Sequence, residues 1–205
     1  MNAELESSLR LVAITDNLRD GVDGLAARAA AAVRGGATMV QLRLKDADAR
    51  TIVSAARRLV RDLAVPVIVN DRIDIALAAK AAGAHLGADD LPVAVARRIV
   101  PAGFIIGASL GSDAEAENAR AADYVGIGPV FATGTKPDAG TAIGPAGFAR
   151  LRALASVPSV GIGGISVDRA WEVIAAGAAG VAVVSAVFGA GDPEEAARTL
   201  RHALS

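Results

Sequence analysis

Four sets of residues in this chain have the types and spacing to handle anions. The stretch GPVFATGTKPDAGTAIG, residues 128–144, sets Thr133, Gly134, Thr135 and Lys136 directly after an apolar run. Two hydroxyls and an ammonium that close together suit an anionic ligand. In MVQLRLK, Gln41, Arg43 and Lys45 alternate, so on a strand all three point to the same face. Asp71, and Asp89 with Asp90, follow two other apolar runs. Carboxylates on neighbouring strand ends can share a divalent cation, and Mg²⁺ favours carboxylate oxygen completed by substrate phosphate. Finally, SVGIGGIS ends in Gly163 and Gly164, and VAVVS in Val184 and Ser185. Paired glycines let backbone N–H groups approach a phosphate, with help from a helix N-terminus. The four sets predict two anions: a monophosphate at the last two runs, and a larger, metal-bound one near Arg43, Lys45 and the aspartates.

The elements that must position these groups show in the rhythm of the chain. Short apolar runs recur at 11–15, 39–43, 66–70, 84–87, 105–109, 124–128, 159–164 and 181–185. Between them lie Ala/Leu/Arg segments such as ARTIVSAARRLVRDL with helical periodicity. Near-continuous apolar strands alternating with amphipathic helices imply a parallel sheet buried on both faces. Eight such units predict an α/β fold, a (β/α)8 TIM barrel, as one domain spanning residues 1–205; an open doubly wound sheet is the alternative. In a barrel of this kind the active site lies at the C-terminal strand ends. Reading only those ends gives Thr15 and Asp16, then Gln41, Arg43 and Lys45, then Asn70 and Asp71. Asp89 and Asp90, Ser109, Thr133, Thr135 and Lys136, and the glycine pair follow. Several of these polar residues have plain structural uses. Asp71, Asp89 or Asp90, and Ser166 could each cap the helix that follows. His85 lies within the fourth run, on a face the local pattern does not fix, and is expected to be structural. His202 is expected at the surface.

Composition excludes other classes. A net charge of −1 gives no field for nucleic acid or an anionic membrane. No cysteine is present, so neither disulfides nor thiolate metal sites arise. With two histidines, neither a Ser-His-Asp set nor a histidine metal cluster can be assembled. The N-terminal residues lack a secretion signal, and no uncharged apolar run reaches the roughly 18 residues that span a bilayer. The expectation is a cytoplasmic protein acting on small molecules, with a homo-oligomer left open. Aromatic residues make up only 3%, so the core must be built from Ala, Val, Ile and Leu.

At this level the motifs resemble a known family. VAITD, GATMVQLRLKD, VPVIVNDRIDIALAAKAAGAHLGADDLP, IIGAS, DYVGIGPVFATGTK, VGIGGI and VAVVSA, running in order from about residue 11 to residue 187, are similar to the thiamine phosphate synthases. The resemblance implies a (β/α)8 barrel that joins a hydroxymethylpyrimidine diphosphate to a thiazole phosphate and releases diphosphate, with Mg²⁺ bound. It implies Gln41, Arg43, Lys45 and Asn70 on the pyrimidine diphosphate, and Ser109 and Lys136 on its diphosphate side. Arg43, Lys45, Ser109 and Lys136 would then be the catalytic set. It implies Asp71 and Asp90 as magnesium ligands, and Thr133 and Thr135 on the thiazole substrate. Gly164, Val184 and Ser185 would cradle its phosphate. Three positions depart from the pattern: Leu44 for an acidic residue, Ala88 for a common Gln, and Leu110-Gly111 for a frequent Thr-His pair.

The chemistry stands without the family. Diphosphate leaves readily once its charge is neutralised, an aminopyrimidine methyl group stabilises the resulting cation, and a thiazole nitrogen attacks it. No protein nucleophile is required; catalysis is electrostatic support plus positioning. Two alternatives remain at this stage. One is a thiazole tautomerase of the same superfamily, which would use a histidine where this chain has Gly111. The other is a non-catalytic sensor of phosphorylated ligands.

Overall fold

The computed structural model describes residues 3–134 and 140–204. Eight parallel strands close into a barrel in chain order: β1 (Leu11–Ile14), β2 (Met39–Leu42), β3 (Val67–Asn70), β4 (Gly83–Leu86), β5 (Ile105–Ser109), β6 (Tyr124–Ile127), β7 (Ser159–Ile162) and β8 (Gly180–Val183). β1 pairs with both β2 and β8, which closes the ring. The open doubly wound sheet is therefore excluded. The strands are short because only the segment buried on both faces needs an uninterrupted apolar run. Arg43, Lys45, Asp71 and the Gly163–Gly164 pair, which the sequence attached to strand ends, belong to the loops, whereas Gln41, Asn70 and Ser109 lie within the strands.

Side chains divide between two apolar layers. Val12, Ile14, Met39, Ile68, Tyr124, Val160 and Ala182 fill the barrel interior, and Leu9 belongs to the same cluster. Outward residues such as Leu11, Ala13, Val40, Leu42 and Val69 pack against the helices. The alanine-rich helix Gly21–Arg34 buries Leu25, Ala29 and Ala32. Its small residues allow close approach: a Cβ on Gly35 would lie 2.1 Å from the Glu194 carbonyl oxygen of the helix Pro193–Ala203. Leu44 belongs to the outer layer and is buried in it. Its departure from the family pattern thus replaces a charge with core packing, on the face away from Arg43 and Lys45.

Helix capping differs from the sequence expectation. The helix Ile73–Ala79 starts after Arg72, which makes no capping bond, so Asp71 is not its cap. The short helix Val93–Ala96 follows Pro92, and Asn118 Oδ1 accepts from the Val93 N–H at 2.9 Å, so neither Asp89 nor Asp90 caps it. Ser166 holds the N-cap position of Val167–Ala175 but makes no side-chain bond there. Carboxylate caps occur at the entries to two outer helices, where Asp48 accepts from Thr51 N–H at 2.9 Å and Asp192 accepts from Glu194 and Glu195. We expect Asp48→Ala to lower stability by about 1 kcal/mol, read as a denaturant midpoint shift with unchanged slope.

Candidate active site

A cavity of about 910 Å³ opens at the C-terminal end of the barrel. Gln41, Arg43, Lys45, Asn70, Asp71 and Asp90 line one side of it. Ser109, Thr133, Gly164, Val184 and Ser185 continue the wall around the ring. Every described residue that the family resemblance assigns to substrate or metal lines one cavity; Thr135 and Lys136 lie outside the described residues. Asp89 also lines the mouth, with an exposed side chain. Thr15 and Asp16, the polar end of β1, do not line it. The buried Thr15 hydroxyl accepts from Arg43 N–H at 2.9 Å and donates to the Arg43 carbonyl at 3.2 Å. It joins β1 to the backbone that carries the Arg43 side chain. Asp16 is paired with Arg28 at 3.0 Å.

The two aspartates are brought together by distorted backbone. Asp71 has φ +63°, a left-handed conformation that Asp tolerates better than most residues. Its N–H donates to the His85 carbonyl at 2.8 Å, which extends the β3–β4 pairing by one residue beyond β3. The loop after β4 folds back, so that Asp90 Oδ2 accepts from Gly87 N–H at 2.6 Å. Burial pushes the Asp71 carboxyl up to about 6, helped by the hydrogen bond and like charge of Asp90; Lys45 and Arg43 pull the other way. Two carboxylates crowded together beside two cations make a hard, oxygen-donor set that fits Mg²⁺. Among the described residues no third Asp, Glu, His or Cys joins them. The remaining ligands of such an ion would be water or phosphate oxygen.

His85 points into the barrel, the question its local sequence left open. Its Nε2 is 3.3 Å from Ser109 Oγ and its Nδ1 is 3.1 Å from the Tyr124 hydroxyl. Burial lowers its pKa to about 4, so it is neutral near pH 7. The ring occupies space that two glycines leave: a Cβ on Gly107 would lie 2.5 Å from His85 Nδ1, and one on Gly126 3.2 Å from Cε1.

The turn after β7 carries Gly163 at φ +93° and Gly164 at φ +62°. A Cβ on Gly164 would meet the Ala132 carbonyl oxygen at 2.4 Å, and one on Gly163 would meet Pro129 at 2.6 Å. The missing side chains thus accommodate the neighbouring loop after β6, while the glycine backbones line the cavity. Ser166 and Glu115 also line the cavity and were not expected there. Glu115 accepts from Gly111 N–H and Ser112 Oγ, both at 2.9 Å. Its sequence signal was the Ser-x-x-Glu spacing of Ser112 and Glu115, a capping-box pattern. That network organises the loop in which Leu110-Gly111 replaces the family's Thr-His.

The family model described as thiamine monophosphate synthase matches residues 11–187. A thiamine-phosphate synthase of Methanoculleus marisnigri is 54% identical over 184 residues, covering 87% of this chain and 86% of that protein. One from Moorella thermoacetica is 51% identical over 179 residues, covering 85% of each. Among solved structures, a thiamine phosphate pyrophosphorylase from Pyrococcus furiosus aligns with a TM-score of 0.84 and 39% identity, covering 98% of this chain and 97% of that one.

The two shifted groups in the site oppose each other as pH changes. His85, lowered from 6.5 to about 4, binds fewer protons folded than unfolded in that window, so its contribution to stability is lost as pH falls. Asp71, raised from 3.8 to about 6, binds more protons folded than unfolded, so ionising it costs stability as pH rises. In metal-free buffer we expect Asp71→Asn to steepen the loss of stability between pH 6.5 and 4, and His85→Asn to reduce it, each by up to ~1.4 kcal/mol per pH unit. Denaturant midpoints measured across that range test the assignment; identical slopes in the two variants would contradict it.

Proposed function

The chain belongs to the thiamine monophosphate synthase family, and on that premise we propose that it acts as a transferase on two phosphorylated heterocycles. It couples 4-amino-2-methyl-5-hydroxymethylpyrimidine diphosphate with 4-methyl-5-(2-phosphooxyethyl)thiazole, giving thiamine phosphate and diphosphate. The observation that carries this reading is the pairing of Asp71 with Asp90 beside Arg43 and Lys45, in a cavity whose far wall holds the Gly163–Gly164 turn. An acidic pair and a cationic pair side by side suit a metal-bound diphosphate. The glycine turn, followed by Ser166 and the nine-residue helix Val167–Ala175, suits a phosphate monoester. The cavity volume accommodates two small ligands at once.

In this reading Asp71 and Asp90 hold Mg²⁺, which when bound offsets the charge of the departing diphosphate. Arg43 and Lys45 carry charge to the same oxygens, and the Ser109 hydroxyl donates to them. Lys136 is assigned to this group by family resemblance. Gln41, buried on β2, and Asn70 give the pyrimidine ring amide partners. Thr133 and Thr135 meet the thiazole substrate, while Gly164, Ser166, Val184 and Ser185 surround its phosphate. The C–O bond to diphosphate breaks first, the aminopyrimidine stabilises the methylene cation, and the thiazole nitrogen closes the new C–N bond. The protein contributes charge stabilisation and orientation, and no side chain is needed as nucleophile.

The tautomerase alternative is disfavoured by the same geometry. Proton transfer calls for a group that titrates near working pH. His85 is depressed to about 4, and both of its ring nitrogens have protein partners. Among the described residues no helix is long and apolar enough to cross a membrane, and cytoplasmic action on soluble substrates is part of the proposal.

Incubating the chain with both substrates and Mg²⁺ should yield thiamine phosphate, and excess chelator should stop turnover. Asp71→Asn or Asp90→Asn should reduce the rate about 100-fold or more. Mg²⁺ binding should weaken as pH falls through about 6, because protonating Asp71 removes a ligand. In calorimetric titrations, Arg43→Ala should weaken the pyrimidine diphosphate at least tenfold with little effect on the thiazole phosphate. Ser166→Ala should do the reverse, and it avoids the backbone strain that any substitution of Gly164 introduces.

A further inference from the structure

Three adjacent strands build a hydrogen-bonded row inside the barrel. In the strand register His85 on β4 is level with Gly107 on β5, which is level with Tyr124 on β6. The middle position has no side chain, and a Cβ there would lie 2.3 Å from Tyr124 Cζ and 2.5 Å from His85 Nδ1. His85 and Tyr124 therefore meet across β5, with ring centroids 5.5 Å apart. Two residues further along β5, Ser109 is level with Gly126, a second gap. Through it His85 Nε2 reaches Ser109 Oγ.

Proton accounting fixes the direction of this row. The Tyr124 side chain is buried among Val12, Ile14, Met39, Ile68, Val160 and Ala182, none of which can accept a hydrogen bond through its side chain. Among the described residues its hydroxyl partner is His85 Nδ1. Leaving that hydroxyl proton unpaired in such surroundings is destabilising. The Tyr124 O–H must then donate, which requires a bare lone pair on Nδ1. A neutral imidazole with a bare Nδ1 carries its proton on Nε2 and donates it to Ser109 Oγ. Ser109 Oγ accepts that proton with a lone pair and has its own proton left for the cavity. The opposite tautomer would take the Ser109 proton and leave only oxygen lone pairs facing an anion.

We propose that Tyr124 and His85 are positioning residues that aim the Ser109 hydroxyl proton at the substrate diphosphate. The assignment rests on the coupling reading above. It gives His85 no part in proton transfer, and it explains why two inward positions on β5 and β6 are glycine. The chain has two histidines, so in His202→Asn protein labelled with ¹⁵N-histidine the remaining signals belong to His85. At neutral pH the signals should show Nε2 protonated and Nδ1 bare, and Tyr124→Phe should shift the population towards protonated Nδ1. Tyr124→Phe should lower kcat for coupling roughly tenfold with the KM for the thiazole phosphate unchanged. In a Ser109→Ala background the same change should alter the rate by less than about twofold, because no hydroxyl remains to be aimed. A proton on Nδ1 in the active chain, or the full tenfold loss in the Ser109→Ala background, would overturn the proposal. Failure of the unsubstituted chain to form thiamine phosphate would instead overturn the coupling reading, and the tautomer spectrum separates the two outcomes because it needs neither substrate.

Discussion

Closing eight parallel strands on themselves fixes the width of the space inside, and every inward side chain must share that space. Apolar residues fill the lower part: Val12, Met39, Ile68, Tyr124 and Val160 pack across the interior. Near the C-terminal end two inward positions are glycine, Gly107 and Gly126, and His85 occupies the room they leave. Above that level the inward residues are Gln41, Asn70 and Ser109, and the apolar filling gives way to an open cavity. The site exists because the packed interior stops there. Enlarging any side chain in the His85 layer would propagate directly into it, since close-packed interiors relieve overpacking only by displacing neighbours.

The same closure decides where charge can sit. A chain in which 53% of residues are hydrophobic has few places for carboxylates at strand ends unless they have partners. Asp71 and Asp90 are forced together by a left-handed backbone and a folded-back loop, and neither conformation is what an unconstrained chain prefers. Their mutual repulsion is offset by Arg43 and Lys45, which share the rim. On the proposed reading, stability given up at one place in the fold would become affinity for a divalent ion. Thr15 supports this arrangement from beneath, tying the backbone of Arg43 to β1.

Much of this could be read in the sequence, and for identifiable reasons. All eight strands appeared as apolar runs because strands buried on both faces carry few polar residues. The rim appeared because chemistry in a barrel gathers at one end of each strand, so the polar residues closing each run formed a short list. The period of two placed Gln41, Arg43 and Lys45 on the cavity face, and by the same alternation Leu44 faces the helices. What could not be read depends on contacts between strands. The face chosen by His85 is set by Gly107 and Gly126 on other strands, and nothing in the stretch AHLG records them. The aspartates that looked like helix caps are not caps, because Asn118, remote in sequence, caps one helix and Asp71 is spent on strand pairing. Glu115 entered the cavity wall through a loop whose only local sign was a capping spacing.

Catalysis by leaving-group departure suits such a structure better than catalysis by a proton-transferring residue. A general base has to titrate near neutral pH, and the histidine inside this barrel does not. Its burial makes it neutral, and its two nitrogens are committed to Tyr124 and Ser109. Departure of a diphosphate asks instead for fixed positive charge and fixed hydrogen-bond donors, aimed in advance at where negative charge will accumulate. Strand ends provide this better than loops, because each strand is held on both sides by its neighbours. Arg43, Asn70 and Ser109 each stand at or next to the end of a different strand, so their separations are set by the barrel itself. The loops then have only to admit the substrates and exclude water. This division of labour allows the loops bearing Ala88 and Gly111 to differ from the family pattern while the charged rim stays in place.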